Sequence, residues 1–272
     1  MCRVLAASRS GFYLWRQRKK ASLCRQDFRE QLDQRVKSLF FLRKGRSGSP
    51  RLTLDLKDEG HHYDRKTVAA SMKRQGLRAR AARRFKITTN SRHNLPVADN
   101  LLQQDFTATS PNQKWVSDIT YLRTGEGWLY LAVVLDVYSR IVVGWAMSCR
   151  MESALATQAL SMALWRRRMP RGVIVHSDRG SQYCSEKYRS LLLKHDLFCS
   201  MSGKGNCYDN AVAESFFHTL KVEAIHGEHF STRDEMRRTI FEYIEVDYNR
   251  NRRHSANGHI SPKAFEALKK TA

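Results

Sequence analysis

Hydrophobic spacing divides the chain into successive textures. Phe12-Tyr13-Leu14-Trp15-Arg16-Gln17-Arg18-Lys19-Lys20 mixes apolar and basic residues and predicts helix within residues 1–26. A second pattern places Phe28, Leu32, Val36, Leu39 and Phe40 near helical spacing, and Gly45-Arg46-Ser47-Gly48-Ser49-Pro50 breaks it. Two short helices are predicted next. Residues 50–59 carry Leu52 and Leu56 four apart; residues 64–75 carry Val68 and Met72 four apart, with Asp64 as N-cap and Gly76 just past the end. The second of these bears Arg65, Lys66, Lys73 and Arg74, so the pair reads either as a helix-turn-helix that binds DNA or as an ordinary helical hairpin. Residues 78–113 lose apolar periodicity and carry Arg78, Arg80, Arg83, Arg84, Lys86 and Arg92, a basic linker suited to tracking phosphates.

From Lys114 the texture becomes strand-like. Three runs rich in Val, Ile, Trp and Tyr, at residues 114–124, 127–136 and 139–148, are separated by the short turns Gly125-Glu126 and Val137-Tyr138 and predict a meander. Helix (152–168), strand (173–175), helix (185–195), strand (197–201) and helix (209–225) follow. The fold class is therefore α/β, a mixed sheet flanked by helices, behind an N-terminal helical region with helix-turn-helix character. The predicted division is a basic helical segment (1–44), a helix-turn-helix-like region (45–77), a basic linker (78–113), a catalytic core (114–228) and a C-terminal helical extension (229–272).

Charge sharpens this division. The 272 residues hold 48 Lys+Arg and 26 Asp+Glu, a formal charge of +22. Residues 1–100 account for 25 and 8, a net +17, and the rest for 23 and 18, a net +5. A basic arm on a nearly balanced body is the footprint of a nucleic-acid partner. The longest apolar run, Trp128 to Leu135, has eight residues against the roughly 20 of a membrane span, so no membrane partner is expected. Cysteines at 2, 24, 149, 184, 199 and 207 make no Cys-x-x-Cys pair, which argues against a disulfide scaffold or a structural zinc module.

Three carboxylates stand out. Asp118 interrupts the first strand, Asp178 ends the fourth at Arg179-Gly180, and Glu214 lies in the last helix of the core. Strand ends of a mixed sheet meet at one edge, where a helix packed across could add Glu214 to the two aspartates. Clustered acidic oxygens suit magnesium, a hard ion that prefers octahedral oxygen ligands. Each also has a plainer reading, since Asp118 could pair with an arginine, Asp178 cap a turn and Glu214 face solvent. Helical spacing puts Asn210, Glu214, His218 and Lys221 on one face, away from Val212, Phe216, Thr219 and Leu220.

Trp115-Val116-Ser117-Asp118-Ile119-Thr120-Tyr121, His176-Ser177-Asp178-Arg179-Gly180-Ser181-Gln182-Tyr183 and Asp209-Asn210-Ala211-Val212-Ala213-Glu214-Ser215-Phe216-Phe217 resemble the three signatures of DDE transposases and retroviral-type integrases. Thirty-five residues separate Asp178 from Glu214, the spacing of the DD(35)E group, and Lys221 follows the glutamate by seven. Gly205-Asn206-Cys207-Tyr208 and the tail Asp247-Tyr248-Asn249-Arg250-Asn251-Arg252-Arg253-His254-Ser255, then Ser261-Pro262, are similar to the OrfB products of bacterial insertion sequences.

That resemblance implies an RNase H-like core in which Asp118, Asp178 and Glu214 bind two Mg2+ ions, with Mn2+ as a substitute. It implies cleavage at transposon ends, then attack of the freed 3′-hydroxyl on target DNA. His176, Arg179, Gln182, Tyr183, Lys204, Asn210 and Lys221 flank the acids as candidate DNA contacts, beside Arg65, Lys66, Lys73 and Arg74. The implied partners are double-stranded DNA, further copies of the chain on that DNA and the upstream reading-frame product of a frameshift fusion; the implied location is the bacterial cytoplasm, at the nucleoid. In this group the upstream portion usually carries the reader of the terminal repeats and a multimerisation segment, and the region before the catalytic body here holds only the smaller helix-turn-helix candidate. A nuclease of the same fold and a non-catalytic DNA-binding modulator of a longer transposase are the competing expectations.

Overall fold

The computed structural model describes residues 8–80, 97–203 and 207–268, and the chain divides near residue 81 into two compact units. The first unit holds α1 (Arg9–Leu42), α2 (Ser49–Asp58) and α3 (Arg65–Arg74). The two helical segments expected before Gly45 are one helix of 34 residues. No glycine or proline interrupts residues 12–44, and Ser8 caps the start by accepting the Gly11 N–H at 2.9 Å. The C-terminal part of α1 is buried, where Leu32, Val36, Leu39 and Phe40 pack with Leu52 and Leu56 of α2 and Val68 and Met72 of α3. Asp64 caps α3 by accepting from the Lys66 N–H at 2.9 Å, and the chain leaves through Gly76 at φ +65°.

The second unit is built on a five-stranded sheet of order β3-β2-β1-β4-β5. Its strands are β1 (Lys114–Thr124), β2 (Gly127–Asp136), β3 (Val142–Ser148), β4 (Ile174–Ser177) and β5 (Phe198–Met201). β1, β2 and β3 form the expected antiparallel meander, while β4 and β5 run parallel to β1. This is the RNase H-like mixed sheet of the sequence reading. β3 starts three residues later than its apolar run predicts. The Asp136 carboxylate accepts the Tyr138 N–H at 3.0 Å and Arg140 sits at φ +63°, so residues 137–141 form a turn instead of strand.

Helices cover both faces. On one, α4 (Ser153–Arg166) and α5 (Glu186–Lys194) bury Leu155, Ala159, Leu160, Tyr188 and Leu192 against Trp115, Ala132 and Val134. A Cβ on Gly144 of β3 would collide with the Ala159 carbonyl of α4, so a bare backbone is what admits this helix so close. On the other face, α6 (Ala211–Leu220) continues through a π-helical turn, Lys221–Ile225. With α7 (Arg233–Glu242) and Tyr243–Tyr248 it packs on Val116, Leu122, Leu131, Val133 and Leu135.

The tail motif fastens this unit together. Asn249 accepts the Val142 N–H at 2.9 Å and donates to the Val142 carbonyl at 3.0 Å, and Asn257 donates to the Ser139 carbonyl at 2.7 Å. Arg252 pairs with the buried Glu223 at 2.9 Å, and Tyr243 donates to the same carboxylate at 2.8 Å. Nearer the C-terminus, Glu266 in α8 (Pro262–Leu268) pairs with Arg167 at 2.5 Å and accepts from Ser139 at 2.6 Å. Among the described residues no helix is long and apolar enough to cross a membrane.

Candidate active site

Strand register places two of the three carboxylates. β1 and β4 pair in parallel from Lys114 opposite Ile174 to Ser117 opposite Ser177. Asp118 and Asp178 are the next residues on each strand, Asp118 still within β1 opposite Val133 of β2 and Asp178 just past the end of β4. They stand side by side where neighbouring strands lie about 4.8 Å apart. Asp118 is held well above the usual carboxylate range, first by burial, then by the Asp178 charge. A 2.8 Å bond from the Ile119 N–H opposes this, Glu214 adds to it and Lys221 counters it. Asp178 accepts the Gly180 N–H at 3.0 Å, and a Cβ on Gly180 would stand 3.0 Å from the same carboxylate oxygen, so the turn leaves no spare room around it.

The third carboxylate comes from a helix. α6 buries Val212, Ala213, Phe216, Phe217 and Leu220 and leaves Glu214 and His218 on its exposed side. Burial raises the Glu214 pKa. Lys221, the residue immediately after α6, has its pKa lowered by burial, partly offset by Asp118, and its Nζ stands 5.4 Å from the Tyr121 ring centre. One cation and three carboxylates thus share a single field, with Asp118 at its centre.

The donor chemistry of the aspartate pair fits a divalent cation, because two hard oxygen ligands that resist joint ionisation are relieved by a positive ion between them. The set is not closed: among the described residues no three His, Cys, Asp or Glu side chains are placed to hold a metal ion together.

Several expected DNA contacts serve the fold instead. His176 is 0% exposed, with Nδ1 2.8 Å from Ser200 Oγ and Nε2 3.2 Å from Ser202 Oγ, and burial pushes its pKa down to about 4. Tyr183 is 1% exposed, its hydroxyl 3.1 Å from Ser117 Oγ behind the aspartates. Asn210 is also buried and donates to the Ser117 carbonyl at 3.5 Å, so it leaves the face expected to present it with Glu214. Interior placement removes these three from direct contact with a nucleic acid. Arg179 donates to the Ser202 carbonyl at 2.6 Å and Gln182 to the Met151 carbonyl at 3.3 Å, both at the rim. Arg74 of the first unit makes bonds of 2.6 and 3.1 Å to Asp33, and Arg65, Lys66, Lys73 and Arg74 are all exposed. Lys204 lies outside the described residues.

One supporting residue escaped the sequence reading. Asp209 is fully buried just before α6 and accepts from Gly203 N–H at 2.7 Å and from Asn100 Nδ2 at 3.0 Å. It ties the start of the glutamate helix to β5 and to residues 97–102, where Ser200 Oγ accepts the Leu101 N–H at 2.9 Å. Its place in the Asp209-Asn210 dipeptide was the available signal.

Comparison with known proteins bears on this arrangement. The integrase core domain family matches residues 108–207 and, in a second description, 214–269, and an HTH-like domain matches residues 27–85. "Transposase InsF for insertion sequence IS3A" of Escherichia coli (strain K12) is 59% identical over 266 residues, covering 98% of this chain and 92% of that protein. The chain belongs to the IS3-family transposases. It is thereby an enzyme of the polynucleotidyl transferase class. A Shigella sonnei relative, "Insertion element IS600 uncharacterized 31 kDa protein", is 48% identical over 265 residues and 97% of each chain. A more distant likeness is to the HTLV-2 integrase catalytic core domain solved in complex with magnesium, at 13% identity and a TM-score of 0.44, covering 59% of this transposase and 99% of that chain.

Proposed function

We propose that this transposase cuts at the ends of its element and joins the freed 3′-hydroxyl to target DNA, using divalent metal held by Asp118, Asp178 and Glu214. The observation that carries the reading is the register adjacency of Asp118 and Asp178, with Glu214 and Lys221 acting on the same carboxylate. In the first step water attacks a phosphodiester, leaving a 3′-hydroxyl and a 5′-phosphate. In the second, that hydroxyl attacks a target phosphodiester, forming one bond as another breaks and releasing a new 3′-hydroxyl. Mg2+, or Mn2+ in its place, supplies Lewis acidity at phosphorus when bound, with two ions per site as the preferred stoichiometry. Asp118 and Asp178 would hold the metal from the strand side, Glu214 would complete the ligand set from α6, and Lys221 would offset phosphate charge. The buried Ser117, His176 and Tyr183 exclude water behind the acids and keep their backbones in place.

In this reading the DNA partner is double-stranded, both transposon end and target. Arg65, Lys66 and Lys73 of α3, together with the rim residues Arg179 and Gln182, supply phosphate contacts, and copies of the chain assemble on the DNA. The chain acts as the catalytic part of a frameshift fusion with an upstream reading-frame product, in the cytoplasm at the nucleoid. The test is strand joining of a pre-cut DNA end with Mg2+ or Mn2+, comparing wild type with Asp178→Asn. Metal-dependent joining that disappears in the variant is expected. Joining that persists in Asp178→Asn overturns the mechanism.

A further inference from the structure

Beside the acids lies a second surface that this mechanism leaves unused. Tyr121 and Trp128 face each other diagonally across the β1–β2 pairing, in which Tyr121 is opposite Tyr130 and Arg123 is opposite Trp128. Their ring centres are 5.2 Å apart at an interplanar angle of 88°, and the side chains remain 40% and 45% exposed. The two rings therefore form an open corner. Cations flank it: Lys221 Nζ is 5.4 Å from the Tyr121 ring centre, and the exposed Arg123 stands across the ladder from Trp128.

The hairpin beneath this corner is fixed in place. Arg233 donates to the Trp128 carbonyl at 3.1 Å and to the Glu126 carbonyl at 2.6 Å, and its N–H donates to the Glu126 carboxylate at 2.9 Å. Gly125 donates to the Phe230 carbonyl at 2.9 Å, and a Cβ there would stand 2.6 Å from the Ser231 carbonyl oxygen. A cross-strand aromatic pair stabilises a hairpin unaided. That role calls neither for a cation over one ring nor for an arginine anchoring the tip.

The corner is also within reach of the chemistry. β4 pairs with β1 only as far as Ser117, so the β1 edge from Asp118 to Tyr121 is not covered by β4. Those three steps span about 10 Å and turn Tyr121 to the face opposite Asp118. Asp118 shares its face with Val116 and Leu122, while Tyr121 shares its face with Trp115 and Ile119. A strand one or two nucleotides from the reacting phosphate would reach the corner round this uncovered edge. Lys221 spans the two places, acting on Asp118 and lying over Tyr121.

We propose that Tyr121 and Trp128 form a stacking corner that receives an unpaired base near the phosphate that reacts at the acidic site, with Arg123 and Lys221 meeting the adjoining backbone. The ligand class is a single-stranded or frayed DNA end. Any base has a π-face, so the corner selects for an unstacked nucleotide rather than for a sequence. The inference rests on the transposase reading of the acidic site.

The test uses the full chain and a duplex oligonucleotide with an unpaired 3′ end, carrying 2-aminopurine singly at the first, second or third terminal position. Quenching on binding at one of these positions is expected with wild type, with Tyr121→Phe and with Asp178→Asn. Trp128→Leu and Tyr121→Leu lose the quench and bind about tenfold more weakly, the scale of one base–aromatic stack. An abasic nucleotide at the quenched position weakens wild type by the same factor and Trp128→Leu no further. Equal quenching in wild type and both leucine variants, or an abasic penalty identical in all of them, overturns the stacking corner. Loss of joining specificity for Asp178 with the quench intact would instead overturn the catalytic reading alone.

Discussion

The strand-borne and helix-borne halves of the acidic site are held by different forces. Asp118 and Asp178 follow residues locked in a parallel ladder, with Trp115, Val116 and Ser117 0% exposed beneath them. Glu214 rides on α6, which touches the sheet through side chains and is anchored at its start by the Asp209 carboxylate. A ladder fixes the backbone on both sides of a residue, whereas a packed helix can shift by small amounts without breaking its own hydrogen bonds. In the proposed mechanism the sheet therefore presets two ligands, and the helix decides whether the third arrives.

Substitutions can break or sharpen that contrast. The largest effect is expected from Phe216→Ala, which empties the α6 contact with the sheet and should cost about 3–5 kcal/mol in denaturant unfolding. A cost under about 1 kcal/mol would mean that α6 is not held by its apolar face. Gly144→Ala probes the opposite face and should cost about 1–3 kcal/mol by the same measurement, because its Cβ meets α4 backbone that must move. Asp209→Ala leaves two donors without their acceptor and should cost about 1–3 kcal/mol in unfolding. It should also slow strand joining by the still-folded protein about tenfold, equivalent to about 1.4 kcal/mol; an unaltered joining rate would show that the latch does not position Glu214. Gly180→Ala should slow joining less, severalfold, by crowding Asp178 from the strand side.

The smallest effect concerns pH. Asp136 is buried and its pKa is raised to about 6, with burial the leading cause. A folded-state value above the unfolded one means that the folded protein holds this proton more tightly. Its contribution favours folding fully below pH 4 and fades as pH rises through about 6. Thermal melts of wild type and Asp136→Asn should therefore diverge between pH 4 and 6, with wild type losing stability relative to the variant as pH rises. Parallel curves would assign the pH dependence elsewhere.

Much of this was legible along the chain. β1 and β2 begin and end where their apolar runs do, and Asp64, Ser185 and Gly76 punctuate helices as their chemistry dictates. The acidic motifs pointed to the candidate site because strand ends and a helix face are local features. Orientation was not legible. β4 is covered on both faces, so His176 carries no polar–apolar alternation to reveal that it points inward, and Tyr183 lies in a turn that has no periodicity to read. Nor does spacing reveal that Asn249 seeks Val142, more than a hundred residues away, or that Arg74 bonds to Asp33. Such pairings depend on tertiary neighbours, which a local pattern does not encode.

The Asn249 clamp bears on solubility. A strand at the rim of a sheet offers unpaired amides and carbonyls to any second strand, a standing invitation to pile up copies. Here β3 has that offer refused at Val142 by the carboxamide of Asn249, and β5 has it refused at Met201, whose N–H is taken by the Asp99 carbonyl at 3.2 Å. A chain cut short before Asn249 would keep Asp118, Asp178 and Glu214 and still expose the β3 rim, so it should precipitate before it could be assayed.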